Sequence, residues 1–369
     1  MLGEYAEHYI VFIKMKKRIL YIDLLSPQGH VNFNNIYIKA FSIIPDIALD
    51  VVCHEGYISK LELPSNVDIT TYDLRTRELR SDQRFYKLQW RVLQARYLQF
   101  CEKLVESNKY DCIFISSYDE VTLAFSRLLN YNVIAICHAN SKHTFQNKFF
   151  AYCQRIIANH VKLVVLNQGA SSFLDSQGIK NTYIPHGIPM LPLPNSRTSR
   201  TIFVPIKIAT GDSFIIQRLN SVEFINVLNK LNLRLIIRED SSLQKKVPNV
   251  KYVQKIIPEN DYRLFFSEAA CILLPYSKTS YEIRSSAMLM EAISFKKIVI
   301  VPNTSSFSSL CKGNDKGIYL YDNFEDIINI VRDLFSADTL PEPSFESILQ
   351  ENSVDNISKS LEILMDEKY

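Results

Sequence analysis

The stretch 281–303, YEIRSSAMLMEAISFKKIVIVPN, sets one carboxylate, Glu291, in an otherwise apolar helical run. Wound at about 100° per residue, Met288, Leu289, Met290, Ala292 and Ile293 spread around most of the cylinder, so the helix is expected to be largely buried. Arg284, Ala287, Glu291 and Ser294 recur at spacings of three, four and three and form one polar or small line along it. Such a line faces solvent or a cleft. Charged residues are mostly exposed, so the position of the helix in the fold has to decide.

Working outward, the helix lies between two strand-like runs, ACILLPY (270–276) and KIVIVPN (297–303). Short apolar runs alternate with helical patterns along the whole chain, the signature of parallel sheets with crossover helices. In the first half the strand candidates are RILYID, ALDVVCH, DITTYD, DCIFIS, VIAICH, LVVLN and NTYIPH. Helices are expected over about 32–43, 119–129, 143–159 and 169–177, with a long one over 82–108. The segment 185–199, PHGIPMLPLPNSRTS, carries prolines at 185, 189, 192 and 194 and reads as a linker, because proline removes a backbone donor and fixes φ. The alternation then resumes with TIFVPI, LRLIIRE, VKYVQKI, ACILLPY, KKIVIVPN and GIYLY.

The expected fold class is therefore α/β, with two Rossmann-like domains facing each other across a cleft. Their boundaries are placed at 15–190 and 191–345, with a disordered extension over 1–14 and a helical segment over 346–369. The last of these is amphipathic, with Ile357, Leu361 and Leu364 on one side, and suits either domain. In open parallel sheets, ligands sit outside the carboxyl ends of the strands. The Glu291 helix follows such an end, so its polar line is expected to face the cleft.

Bulk properties narrow the function. A chain of 369 residues exceeds one comfortable core. A net charge of +3 is too mild to argue for nucleic acid as a partner. The seven cysteines lack CxxC spacing, which argues against a metal site or a disulfide framework and fits a reducing, cytoplasmic compartment. The apolar run near the N-terminus is too short for a membrane span and lacks a cleavage site for export.

A carboxylate near a helix start at a strand end suits two vicinal hydroxyls, as in ribose recognition. Ser285, Ser286, Ala287 and Met288 open that helix, where free backbone N–H groups favour phosphate, and Arg284 adds charge. The serines also suit simple N-capping.

At this point the residues resemble a family. RSSAMLMEAISFKKIVIVPN is similar to the donor-site segment of GT-B glycosyltransferases, especially the large bacterial group called family 4. SPQGHVNFNNIYIKAF (26–41) resembles that family's first glycine loop. ICHANS, VVLNQGASSFL and NTYIPHGIP resemble, in order, its histidine-ended strand, its serine-or-asparagine-plus-helix step and its turn before the linker. The resemblance implies a nucleotide-sugar donor, UDP- or GDP-linked, on the C-terminal domain, an acceptor on the N-terminal domain, and no metal or other cofactor. Carried over, Glu291 binds the donor ribose, the amides of Ser286 to Met288 meet the diphosphate, His138 sits by the transferred sugar, and Gly29 with His30 marks the loop under phosphate or acceptor.

Two departures stand out. The family's glutamates are eight positions apart, but eight before Glu291 stands Ile283, with Glu282 one place out of register. The usual phosphate signature after the first C-terminal strand is absent, and Lys207 is the phosphate candidate by position and charge, with Arg218 further along. If the reaction inverts, a base is needed, for which His138 or Asp23 would stand; the family analogy favours retention. His186 reads as a turn residue.

From 75 to 103, Arg75, Arg77, Arg80, Arg84, Lys87, Arg91, Arg96 and Lys103 interleave with Phe85, Tyr86, Trp90, Tyr97 and Phe100. That mixture suits anionic lipid headgroups at the inner face of the plasma membrane, or a polyprenyl-linked acceptor; it also suits a solvated helix whose aromatics pack on the sheet. The leading expectation is a glycosyltransferase that extends a bacterial surface glycan such as capsule or O-antigen. A non-catalytic nucleotide-sugar-binding or partner-binding protein and a nucleotide-sugar epimerase are the alternatives.

Overall fold

The computed structural model describes residues 16–25, 30–73, 85–138, 141–189, 200–206, 211–238, 247–254, 257–311, 315–337 and 339–367. Two parallel sheets with flanking helices make up the fold. The first contains β1 (Lys17–Ile22), β2 (Ile47–His54), β3 (Val67–Tyr72), β4 (Cys112–Ile115), β5 (Val133–Cys137), β6 (Val161–Val165) and β7 (Thr182–Tyr183), in the order β3-β2-β1-β4-β5-β6-β7. The second contains β8 (Thr201–Val204), β9 (Arg234–Arg238), β10 (Val250–Val253), β11 (Cys271–Leu273), β12 (Ile298–Pro302) and β13 (Ile318–Tyr321), in the order β10-β9-β8-β11-β12-β13.

Central strands such as β4, β5 and β12 are buried at every position. Helices cover both faces of such sheets, so these strands read as continuous apolar runs rather than alternating ones. The strand order reverses beside β1 in the first sheet and beside β8 in the second, which opens a crevice at the carboxyl ends there.

The helix Tyr86–Ser107 packs on one face of the first sheet through Tyr97, Leu98 and Cys101. On the other face Val31–Ser42 packs together with the last described helix, Val354–Asp366, whose Ile357, Leu361 and Leu364 are fully buried there. The C-terminal helix thus returns to the first sheet. Lys162, on β6, donates to the carbonyls of Leu364 and Glu367 at its end, where the helix dipole favours a cation.

Two expected helices are interrupted by their own caps. Asn147 accepts from the amides of Phe149 and Phe150 and so starts a new helix, Lys148–His160, separate from Ser141–Gln146. Asp119 caps the short Glu120–Ala124 helix in the same way, and Ser126 restarts the chain as a 3₁₀ turn, Arg127–Asn130. Of the linker, the part over 190–199 lies outside the described residues, as do 1–15.

Gly187 lies where the chain leaves the first sheet, against both helices of that face. A Cβ there would stand 2.4 Å from Ile36 Cγ2 and 3.1 Å from Ile357 Cδ1. Gly187→Ala is expected to destabilise by about 1–3 kcal/mol through overpacking, read as a lower denaturation midpoint at unchanged slope; an unchanged midpoint would show that the two helices can part at no cost.

Candidate functional site

The Glu291 helix runs from Ala287 to Ser294. Ser286 caps it, accepting from the Leu289 amide at 3.1 Å, and is itself bonded to the Tyr276 hydroxyl at 2.8 Å. Leu289, Met290, Ala292 and Ile293 are buried, as their distribution around the cylinder implies. Ala287 and Met288 form the first turn and line a cleft of 790 Å³ between the two sheets' carboxyl ends. Their amides are among those a helix start leaves without intrahelical partners, so they suit an anion. Arg284 precedes the helix rather than standing on it; its guanidinium lies over the Tyr281 ring at 5.4 Å.

Glu291 faces this cleft, not solvent. Its Oε1 accepts from Asn32 Nδ2 at 2.8 Å and its Oε2 from the Tyr262 hydroxyl at 2.8 Å. Asn32 belongs to the first sheet's helix and Tyr262 to the helix Glu259–Glu268 of the second, so the carboxylate bridges the two. Burial raises its pKa above the ordinary carboxylate range, against the two hydrogen bonds and Arg263.

Opposite stand three imidazoles. His138, past the end of β5, donates from Nε2 to the Ser116 carbonyl at 2.8 Å. His186 is 6% exposed and donates from Nδ1 to the Gly187 carbonyl at 2.9 Å. His30 holds φ at 63° in front of the Val31–Ser42 helix, and its ring centroid is 4.4 Å from that of His138. Phe33 presents its ring edgewise between them, 4.6 Å from His138 and 5.4 Å from His186. All three imidazoles line the cleft. Desolvation lowers each pKa, that of His30 to about 4, with their mutual proximity adding to it for His30 and His138. Among the described residues, no group of three His, Cys, Asp or Glu is arranged to hold a metal.

Ser285 and the Ile283 carbonyl are both held by Asn167 Nδ2, each at 2.9 Å, from the loop after β6. Ile283 is 2% exposed, packs into the first sheet's apolar cluster and borders the cleft, so where the family that the sequence resembles has a carboxylate this chain places an apolar contact between the domains. Glu282 turns away to an ion pair with Lys142. Gly29 and Lys207 lie outside the described residues. Asn32 and Tyr262 carry no local signal in the sequence that marks them for the site. Asn167 alone had a local signal, the Asn-before-helix pattern, and it does cap Gln168–Ser176 through Ala170. His186, read as a turn residue, is part of the cleft wall.

Asp23, the alternative base, is 2% exposed and lies beneath the cleft instead of lining it. It accepts from Asn34 at 2.7 Å, the Leu25 amide at 3.0 Å and the Ser116 hydroxyl at 3.3 Å. Burial outweighs these bonds and lifts its pKa from 3.8 to about 6. An acid whose folded pKa is raised contributes stability below its unfolded pKa and loses it as pH rises through the folded value. Relative to Asp23→Asn, the parent should therefore lose about 3 kcal/mol of stability between about pH 4 and pH 7. Parallel stability curves for the two proteins would remove Asp23 from that role.

Along the helix Tyr86–Ser107, Tyr97 is buried, meets the Tyr72 ring at a tilt of 30° with centroids 3.8 Å apart, and donates to the Val52 carbonyl at 2.6 Å. Arg91 is tied to Asp119 at 3.0 Å. Phe85, Leu88 and Val92 are exposed, and residues 75–84 lie outside the described set. No described helix is long and apolar enough to cross a membrane.

No protein-family model matches this sequence, and none of the curated proteins is significantly similar to it. Solved structures do share its fold along nearly the whole chain. Sucrose-phosphate synthase from Thermosynechococcus elongatus superposes with a TM-score of 0.60 at 10% identity, over 95% of this chain and 95% of that one. The lipopolysaccharide outer core galactosyltransferase WaaB, in its apo form, gives 0.60 at 12% identity, over 94% and 99%. HepE from Anabaena in complex with UDP gives 0.55 at 12% identity, over 93% and 94%, and its structure with UDP-glucose gives 0.57 at 11% identity over the same shares. The chain has the GT-B fold: two Rossmann-like domains facing each other across a cleft.

Proposed function

We propose that this protein is a glycosyltransferase that moves a hexosyl group from a UDP- or GDP-linked donor to a glycan or lipid-linked glycan acceptor. The observation that carries the reading is the pairing, in one interdomain cleft, of a cleft-facing carboxylate, Glu291, with open helix-start amides at Ala287 and Met288, one turn away. The carboxylate suits two ribose hydroxyls and the helix start suits a diphosphate. HepE, which shares the fold, binds UDP and UDP-glucose.

In this reading the leaving diphosphate is stabilised by the Ala287 and Met288 amides and the Arg284 guanidinium, charges already in place before reaction. Lys207 is a further phosphate contact by sequence position. That set of donors needs no metal ion, and retention of configuration is the stereochemistry favoured by the family analogy. A role in bacterial surface polysaccharide synthesis, at the inner face of the plasma membrane, follows the same analogy. Exposed Phe85, Leu88 and Val92 beside Lys87 and Arg96 support contact with an anionic lipid surface.

Thermal unfolding in the presence of UDP, GDP, CMP and their sugars tests the reading. One nucleotide should raise the midpoint, by the amount that ligand linkage gives for its affinity. No shift with any of them would sink the transferase proposal and leave a partner-binding role.

A further inference from the structure

The histidine wall bears on which sugar the cleft takes. His138 and His186 each spend their N–H on a backbone carbonyl, at 2.8 and 2.9 Å. In the neutral imidazole the other ring nitrogen is then a lone-pair acceptor. His30 adds a third ring, whose Nδ1 is buried without a hydrogen-bond partner. With ring centroids of His30 and His138 only 4.4 Å apart, a proton on one opposes a proton on the other. Burial works in the same direction, and all three stay neutral at physiological pH. This part of the cleft therefore offers acceptors to hydroxyl groups; among the described residues the cation near it is Arg284, close enough to His30 and His138 to oppose a proton on either and, in the reading above, taken by the diphosphate. Of the cations lining the described cleft, Lys60 and Arg263 come from other segments of its wall, and Arg284 stands beside the helix start that suits a diphosphate. A carboxylate placed against the histidines would lose its hydration and meet lone pairs rather than donors.

Resting on the nucleotide-sugar reading above, we propose that His138, His186 and His30 form a neutral acceptor wall that selects a glycosyl group with free hydroxyls and no charge, and rejects its uronate counterpart. The wall makes His186 a specificity residue, although nothing in its turn sequence marks it as one.

Binding is compared by titration calorimetry at pH 7.5 for UDP, GDP, UDP-glucose, GDP-mannose, UDP-glucuronate and GDP-mannuronate. The nucleotide that binds should do so at least tenfold more tightly as its hexose than as its uronate. In His186→Gln and His138→Gln that ratio should shrink, with affinity for the bare nucleoside diphosphate unchanged, which also reports that the variants fold. Binding of a nucleoside diphosphate together with equal or tighter binding of the uronate overturns the inference alone. An unaltered ratio in both variants overturns it as well. Absence of binding by either nucleoside diphosphate overturns the donor reading and the inference with it.

Discussion

Glu291→Ala is expected to weaken binding of the nucleoside diphosphate by about a hundredfold. Two ribose hydroxyls donating to one carboxylate are hydrogen bonds to a charged group, and losing them costs about 3 kcal/mol. The same substitution strips the Asn32 amide and the Tyr262 hydroxyl of their acceptor, so a fall in stability accompanies it. Glu291→Gln separates the two effects: it keeps the size and an acceptor for one partner while removing the charge, and should still lose most of the donor affinity. The parent's affinity should also decline on acidification at a higher pH than an ordinary carboxylate would give, because burial raises the Glu291 pKa and the protonated acid accepts hydroxyls poorly. Calorimetric titration with UDP and GDP reads all three results. Affinity within twofold of the parent in both variants would take Glu291 out of the donor site.

Ile283→Glu has the second large effect, and it acts on stability. The family pattern invites the substitution, since it would restore the spacing of two glutamates. In this protein the side chain is 2% exposed within the first sheet's apolar cluster, next to a carbonyl already taken by Asn167. A carboxylate there gives up its hydration within that apolar cluster, which costs about 3 kcal/mol or more. The expected reading is a thermal midpoint lower by roughly 6–12 °C and no gain in donor binding. Ile283 also borders the cleft, so a variant as stable as the parent that binds the donor more tightly would mean that the glutamate turns into it and that the departure at Ile283 is incidental.

Much of this fold was legible in the chain. The strand candidates correspond one for one with β1 to β13, within a few residues at their ends. Buried parallel strands need continuous apolar runs, and such runs are local features of sequence. Helix interruptions at Asn147 and Ser126 were less legible, because a capping side chain and a polar helix residue look alike until the backbone is placed. The Glu291 line was half right. Glu291 faces the cleft, but Arg284 lies in the loop before the helix, so the periodic line through both does not exist as a helix face.

By itself, the sequence determined the alternation of strands and helices, the two-sheet class and the placement of Glu291 near a strand's carboxyl end, all consequences of local periodicity and chain order. Only the tertiary structure decided what Glu291 touches, since Asn32 is 259 residues away along the chain and Tyr262 is 29. It alone brought His30, His138 and His186 together, from the ends of three different strand segments, and sent the amphipathic C-terminal helix back to the first sheet. The reason is physical. Hydrophobic period specifies which face of an element is buried, whereas the meeting of loops is set by the order of strands in each sheet and by the way the two sheets face, neither of which is written in any single segment.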